Sequence, residues 1–68
     1  MFVKSALRAF NRDTKIVVFM RTDDNLGNVY YKELDYKTVN DFMISGLMNY
    51  MEMDKPLQII NNQIVIYI

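Results

Sequence analysis

The apolar positions at the start of the chain recur at helical spacing. With successive residues placed 100° apart, the apolar side chains of residues 2–12 fall within one arc of about 160°. The other side carries Lys4, Arg8 and Arg12, spaced four residues apart, which would form a basic ridge. The pattern predicts an amphipathic helix that packs on a sheet, and a helix that contacts phosphates or a membrane surface is the alternative.

The next two segments have the composition of β-strands. Residues 15–22 are apolar on both faces, which favours burial on both sides or cover by another chain. Residues 28–34 are predicted to return as the partner strand, in which adjacent Tyr30 and Tyr31 point to opposite faces. The acidic segment between them includes Gly27, which can take the positive φ of a turn. Residues 15–34 are therefore predicted to form a β-hairpin.

A second strand pair is predicted at the end of the sequence. Residues 57–60 and 63–68 flank Asn61 and Asn62, and Asn tolerates the left-handed conformation that a tight turn needs. The last segment is apolar on both faces and would invite aggregation as a bare edge strand. We therefore expect it at the centre of the sheet or paired across a dimer.

A second helix has an explicit start signal. Thr38 and Asp41 form a T-x-x-D capping box, and the helix is predicted to run to about Met53, before Pro56. Its central stripe is apolar and comprises Val39, Met43, Gly46, Leu47, Tyr50 and Met51. With the flanking residues the apolar arc spans about 240°, against about 100° for packing on one sheet. A second apolar partner, either the N-terminal helix or another subunit, is expected.

Together these elements predict one α+β domain over residues 1–68, in the order α-β-β-α-β-β. We expect a small antiparallel sheet with a helix packed on it and a short N-terminal helix. A 68-residue chain ordinarily needs disulfides, a metal or a second subunit for stability. The chain has no Cys and no His, which removes disulfides and the commonest metal ligands. We therefore expect a homodimer without metal or cofactor.

The same absences argue against catalysis. There is no His for a general base, no Cys nucleophile, and only two isolated glycines, too few for a phosphate-binding loop. A binding protein rather than an enzyme is expected. No apolar run is long enough for a membrane span or a signal peptide, which predicts a soluble, intracellular protein without a membrane partner.

The formal net charge of zero conceals an uneven distribution. Residues 1–22 carry five basic side chains and one acidic one, whereas residues 23–68 carry three basic and seven acidic ones. Such a split is typical either of two solubilising faces or of an acidic recognition surface. Glu33, Asp35 and Asp41 are the candidate acidic cluster, because carboxylates near an apolar anchor can imitate a phosphate backbone.

The candidate apolar anchor is Phe42. It follows the capping-box Asp41 on the flank of the apolar stripe, where geometry predicts a half-exposed side chain, either at the edge of the core or at an interface. Four of the six methionines lie in the same predicted helix, and their flexible side chains suit either core filling or a pliable pocket for a partner.

Residues 18–42 resemble the small uracil-DNA glycosylase inhibitors of tailed Bacillus phages. The matching pattern is a short apolar strand, an acidic turn with Asp24, then Gly27, the pair Tyr30-Tyr31 and a capping box that ends in Asp41-Phe42. The spacing is unbroken and covers about 25 of the 68 residues.

The resemblance implies a homodimeric DNA mimic with a three-stranded antiparallel sheet and one helix per chain. Such a protein fills the DNA-binding cleft of the glycosylase, and an apolar pocket captures the side chain that the enzyme pushes into the base stack. The resemblance carries over to Phe42 as the centre of the contact. The acidic and Tyr positions that follow in the family hold Met43 and Gly46 here, and Lys32 stands where the family has an acid.

The sequence therefore predicts a phage-type, cytoplasmic inhibitor of a host uracil-DNA glycosylase that does not itself bind nucleic acid. Phe42 is the expected anchor, Met43 and Tyr50 are expected pocket walls, and Tyr31 belongs to the expected binding surface. Glu33, Asp35 and Asp41 would replace phosphates. The alternatives are a nucleic-acid-binding regulator that uses the basic ridge with Tyr30 or Tyr31 for stacking, and an interaction protein with another host target.

Overall fold

A computed structural model describes residues 2–68 of the chain. Its elements follow the predicted order α-β-β-α-β-β and confirm the α+β fold class. In chain order they are α1 (Val3–Leu7), β1 (Ile16–Asp23), β2 (Val29–Leu34), α2 (Val39–Ile44), a 3₁₀ turn (Leu47–Asn49), β3 (Gln58–Ile60) and β4 (Gln63–Tyr67).

The four strands form one sheet in the order β2-β1-β4-β3. The β1–β2 and β3–β4 pairs are antiparallel hairpins, whereas β1 and β4 run parallel, with Ile16 opposite Ile64 and Val18 opposite Ile66. The prediction of an antiparallel sheet was therefore wrong in this respect: the sheet is mixed, because the chain crosses over through α2 before it returns as β3 and β4. Strand β4 lies at the centre, as one of the two expected arrangements had it, and β2 and β3 are the edges.

Both predicted turns are confirmed by their backbone conformations. Gly27 closes the first hairpin with a φ of 86°, and Asn61 and Asn62 close the second with φ values of 53° and 61°. A Cβ lies close to the following carbonyl in this conformation, so it suits Gly, which has none, and Asn, whose short polar side chain can form local hydrogen bonds.

Helix α1 is shorter than the predicted residues 2–12, since it ends at Leu7. The chain beyond it makes backbone hydrogen bonds to the first turn of α2: Asn40 donates to the carbonyl of Arg12 at 2.8 Å, and Val39 donates to that of Thr14 at 2.9 Å. These bonds satisfy two of the amides that a helix start leaves unpaired, and a longer α1 would forfeit them.

Helix α2 begins as predicted and ends early. The Thr38–Asp41 capping box is formed, but the helix stops at Ile44 and not near Met53. Ser45 donates its hydroxyl to the Phe42 carbonyl at 2.6 Å and accepts from the Leu47 amide at 3.2 Å, and Gly46 turns the chain with a φ of 75°. The arc of 240° was therefore wrong, because it placed residues of two separate elements on one helix.

The core lies between the sheet and the two helices. The fully buried side chains come from every layer and are Val3, Val18, Val39, Phe42, Ile64 and Ile66. The N-terminal helix and the 3₁₀ turn meet at its margin, where the Val3 amide donates to the Met51 carbonyl at 3.1 Å. Within residues 2–68 no helix has both the length and the apolar character that crossing a membrane would require.

Candidate functional site

The three predicted phosphate surrogates lie where β2 passes into α2. Glu33 ends the exposed part of β2, Asp35 follows it, and Asp41 lies in the first turn of α2; all three residues are exposed. The Asp41 carboxylate accepts from the backbone amides of Thr38 at 3.1 Å and Lys37 at 3.3 Å, which fixes it against the connecting segment. We refer to Glu33, Asp35 and Asp41 as the acidic junction.

A groove of about 440 Å³ runs beside the acidic junction. Glu33 and Asp35 line it, together with Lys15 and Lys37 from the facing segments. Arg21 and Asp54, at 3.9 Å, form the one ion pair found among residues 2–68, so the lysines of the groove are not closely paired with these carboxylates. The junction thus keeps its three carboxylates available to a partner, although its surroundings are of mixed charge.

Phe42 does not lie at the surface. Its side chain is fully buried, and its ring packs against Tyr36 with the centroids 5.0 Å apart. Val39 and Phe42 are three residues apart on α2 and therefore face the sheet together. The expectation of a half-exposed anchor was wrong, since the short helix turns this side inward to complete the core.

The exposed apolar side chain of α2 is Ile44, with 76% of its surface accessible. It lies one turn after Asp41, so that its side chain and that carboxylate share one face of the helix. Ile44 is one of the residues that flank the apolar stripe of the predicted long helix, so its exposure was not expected. The sequence signal for this exposure is Gly46, because it ends the helix after Ile44 and no further helical turn packs over the isoleucine side chain.

The two residues that were expected to form pocket walls, Met43 and Tyr50, lie at different places on the structure. Met43 is partly buried and, with Leu7 and Met48, lines a pocket of about 150 Å³ between α1 and the α2 region. The rim of this methionine pocket carries Lys4 and Arg8. Tyr50 lies elsewhere with 82% of its surface exposed, because it follows the 3₁₀ turn and not a continuing helix.

Tyr31 lies on the sheet face that the helices leave open. Its hydroxyl donates to the Asp54 carboxylate, and this hydrogen bond raises the pKa of the Tyr31 phenol. Its ring meets Tyr67 edge-on with the centroids 4.9 Å apart, and the amino group of Lys55 lies 4.7 Å from the Tyr31 centroid. Tyr31 is thus tied to its own chain.

Tyr67 extends this arrangement into an open-face aromatic cluster of Phe19, Tyr31 and Tyr67. The rings of Phe19 and Tyr67 stack at 5.2 Å, because the two residues are opposite each other in the parallel β1–β4 pair. Asp54 and Lys55 pack on the cluster from a loop. The contact between Tyr67 and Phe19 could not be predicted from the sequence, because the parallel register depends on how the chain crosses over between β1 and β4.

The tip of the first hairpin is acidic and carries an exposed leucine. Leu26 has 87% of its surface accessible, and Asp23 and Asp24 precede it. The Asp24 carboxylate accepts from the amides of Leu26 and Asn28, each at 2.8 Å, and from the Asn28 side chain at 2.9 Å. The side-chain and backbone hydrogen bonds from Asn28 lower the pKa of Asp24, so this carboxyl is charged at neutral pH.

The predicted basic ridge is interrupted. Lys4 and Arg8 are exposed on the side of α1, but the helix has ended before Arg12, whose backbone holds the start of α2.

Comparison of the chain with protein-family models, with curated proteins and with solved structures gives no match.

Proposed function

We propose that this chain is a protein inhibitor of a host uracil-DNA glycosylase that acts in the host cytoplasm by occupying the enzyme's DNA-binding surface. The acidic junction is the observation that carries the proposal. It belongs to the segment that resembles the phage inhibitors, and that segment is one continuous unit of hairpin, connection and capped helix.

The junction supplies what a rival of DNA needs. A glycosylase holds DNA through phosphate contacts on a basic surface, and carboxylates fixed on a rigid frame are attracted by the same field. Asp41 is held by two backbone amides, and Glu33 stands on a strand paired with β1. Because the Asp41 carboxylate is positioned before binding, little ordering entropy opposes its contact.

The apolar part of the contact is assigned to Ile44 in place of Phe42. Its side chain is exposed beside Asp41, so a partner that covers the carboxylate also covers the isoleucine. The methionine pocket is not assigned to the enzyme, because Lys4 and Arg8 at its rim would repel a basic DNA-binding surface.

The test is a uracil-excision assay with a bacterial uracil-DNA glycosylase. Uracil release from labelled DNA should fall as the protein is added, and the inhibition should be relieved by a large excess of DNA, because both compete for one surface. Undiminished uracil release at a hundredfold molar excess of the protein would refute the proposal.

Matched variants locate the site. Glu33→Gln and Glu52→Gln remove the same charge from exposed positions, the first at the junction and the second on the bridge to Phe2. Inhibition should weaken about tenfold for Glu33→Gln, and for Ile44→Ala by a similar factor, and it should be unchanged for Glu52→Gln. Equal potency of all three variants and the parent would remove the junction from the contact.

The second candidate, a nucleic-acid-binding regulator, is favoured by the exposed pair Lys4 and Arg8 on α1. A native gel with labelled DNA and RNA tests it directly. A retarded band that weakens steeply with salt would support this candidate, because displaced counterions make phosphate contacts salt-dependent. Unretarded nucleic acid together with inhibited uracil release would refute it.

A further inference from the structure

We propose that the tip of the β1–β2 hairpin inserts Leu26 into the methionine pocket of a second copy of this chain. The pocket is apolar inside and basic at its rim, and the tip is apolar at its end and acidic at its base. Each copy carries both halves of the contact. In the proposed dimer a twofold axis relates the two copies, so the contact is made twice.

The tip is built as a rigid projection. Leu26 is the most exposed large apolar side chain of the described residues, so a partner that covered it would remove its surface from water. The loop beneath it is held by the three hydrogen bonds to the Asp24 carboxylate and by the Asp24 amide, which donates to the Asn28 carbonyl at 2.9 Å. The backbone that carries Leu26 is thus held in place, which lowers the backbone entropy lost on binding.

The pocket is of the right size for one aliphatic side chain. A cavity of about 150 Å³ lined by aliphatic groups accommodates a ligand of the size of benzene, and a leucine side chain is smaller. Met43 and Met48 form the walls, and their flexible side chains adjust to the shape of what enters. Burial of Leu26 there removes apolar surface of both copies from water.

The charges beside the pocket favour the acidic hairpin tip as its occupant over an apolar segment without carboxylates. Lys4 and Arg8 stand at the rim, and the inserted leucine would bring Asp23 and Asp24 to them, two carboxylates against two cations. The neighbouring cation of the tip, Arg21, is engaged by Asp54 at 3.9 Å. This contact is independent of glycosylase inhibition, since it uses none of the residues of the acidic junction.

Sedimentation equilibrium over a range of protein concentrations provides the first test. The parent chain should be a dimer, and Leu26→Ser should raise its dissociation constant about 30-fold, as loss of a central apolar contact does. Ile59→Ser is the matched control, because Ile59 is also exposed but lies on the edge strand β3. A monomeric parent would overturn the proposal, as would a dimer broken by Ile59→Ser and not by Leu26→Ser.

A charge exchange provides the second test. Asp23→Lys brings the tip from two negative charges to no net charge, and Arg8→Glu does the same for the two positive charges of the rim. Each variant alone therefore places one pair of like charges in both contacts and should dimerise more weakly than the parent. In a mixture, the lysine introduced at the tip of one variant meets the glutamate introduced at the rim of the other, and the second contact combines an unchanged tip with an unchanged rim. An equimolar mixture should therefore form heterodimers. Variants that associate no more tightly in the mixture than alone would overturn the proposal.

Discussion

Replacement of Phe42 by alanine tests the placement of this side chain directly. The structure buries the ring completely, in contact with Tyr36 and among the aliphatic side chains that cover the sheet. If Phe42 were a surface anchor, the alanine variant would bind its partner less tightly and be as stable as the parent. A core residue must lose stability first, and these two outcomes are measured separately.

The expected loss is large for a chain of this size. Removing a fully buried aromatic ring costs about 3–5 kcal/mol, which combines the lost transfer free energy with the cavity left behind. A 68-residue domain has a total stability of roughly 3–10 kcal/mol. Phe42→Ala should therefore remove about a third or more of the stability, and it should unfold part of the chain if the parent lies at the lower end of that range.

The assay is urea unfolding followed by circular dichroism, at a fixed protein concentration because association would add to the stability. Phe42→Leu provides a milder step, which removes fewer carbons and should cost about 2 kcal/mol. Ile44→Ala is the matched control from the same helix. Since 76% of its surface is already exposed, its free energy of unfolding should change by about 0.5 kcal/mol or less.

The reasoning would be refuted by a Phe42→Ala variant as stable as Ile44→Ala, because a buried ring cannot be removed without cost. The same pair serves the inhibition assay. Ile44→Ala should weaken inhibition in a fully folded chain, whereas any weakening by Phe42→Ala must be read against the fraction of chain that remains folded.

Three further outcomes are expected. Gly46→Ala should lower the free energy of unfolding in urea by about 1–2 kcal/mol, because a residue with a Cβ is strained at a φ of 75°. No neighbouring atom lies within 4 Å of the added Cβ, so the backbone strain is the only cost. An unchanged midpoint would contradict the left-handed turn. Because its folded pKa lies below the unfolded value, Asp24 contributes stability at neutral pH that is lost as the pH falls through the folded pKa. In thermal unfolding scans at a series of pH values, the melting temperature of Asp24→Asn should therefore fall less steeply below about pH 4 than that of the parent. An equally steep fall for both proteins would contradict the hydrogen bonding. Because the pKa of Tyr31 is raised, its contribution to stability is present below the ordinary phenol pKa and is lost as the pH rises through the folded pKa. Tyr31→Phe should remove a phenol that titrates above the ordinary phenol pKa from an ultraviolet absorbance titration, and an unaltered titration above that pKa would contradict the Asp54 contact.

The local elements of this fold could be predicted because each has its cause in a few neighbouring residues. Thr38 and Asp41 satisfy one another's backbone amides at the start of α2. Gly27 and the pair Asn61-Asn62 supply the left-handed positions of two hairpins. These signals do not depend on the rest of the chain, so the element order follows from them.

The end of α2 could not be predicted from periodicity, because apolar spacing continues past it into the 3₁₀ turn. The decision is made by Ser45 and Gly46, through a hydroxyl that caps the helix and a left-handed glycine that turns the chain. The predicted pattern treated Gly46 as one more position of the apolar stripe. A glycine that precedes a second apolar run is better interpreted as a helix end.

The error in helix length explains the error at the site. On a long helix with a stripe centred on Met43 and Leu47, Phe42 falls at the flank and Ile44 on the opposite flank. On the short helix the stripe is set by Val39 and Phe42, which turns Phe42 into the core and Ile44 to the solvent. The carboxylates were less sensitive to this change, because Glu33 and Asp35 lie before the helix and Asp41 is fixed by its cap.

The uneven charge distribution also takes a different meaning in three dimensions. The basic N-terminal residues and the acidic residues after position 22 were interpreted either as two solubilising faces or as the sign of an acidic recognition surface. In the structure, Lys4 and Arg8 surround an apolar pocket, while Asp23 and Asp24 support an exposed leucine. Opposite charges that each accompany one half of a complementary apolar contact support the proposed association between copies, because solubility alone requires neither the pocket nor the exposed leucine.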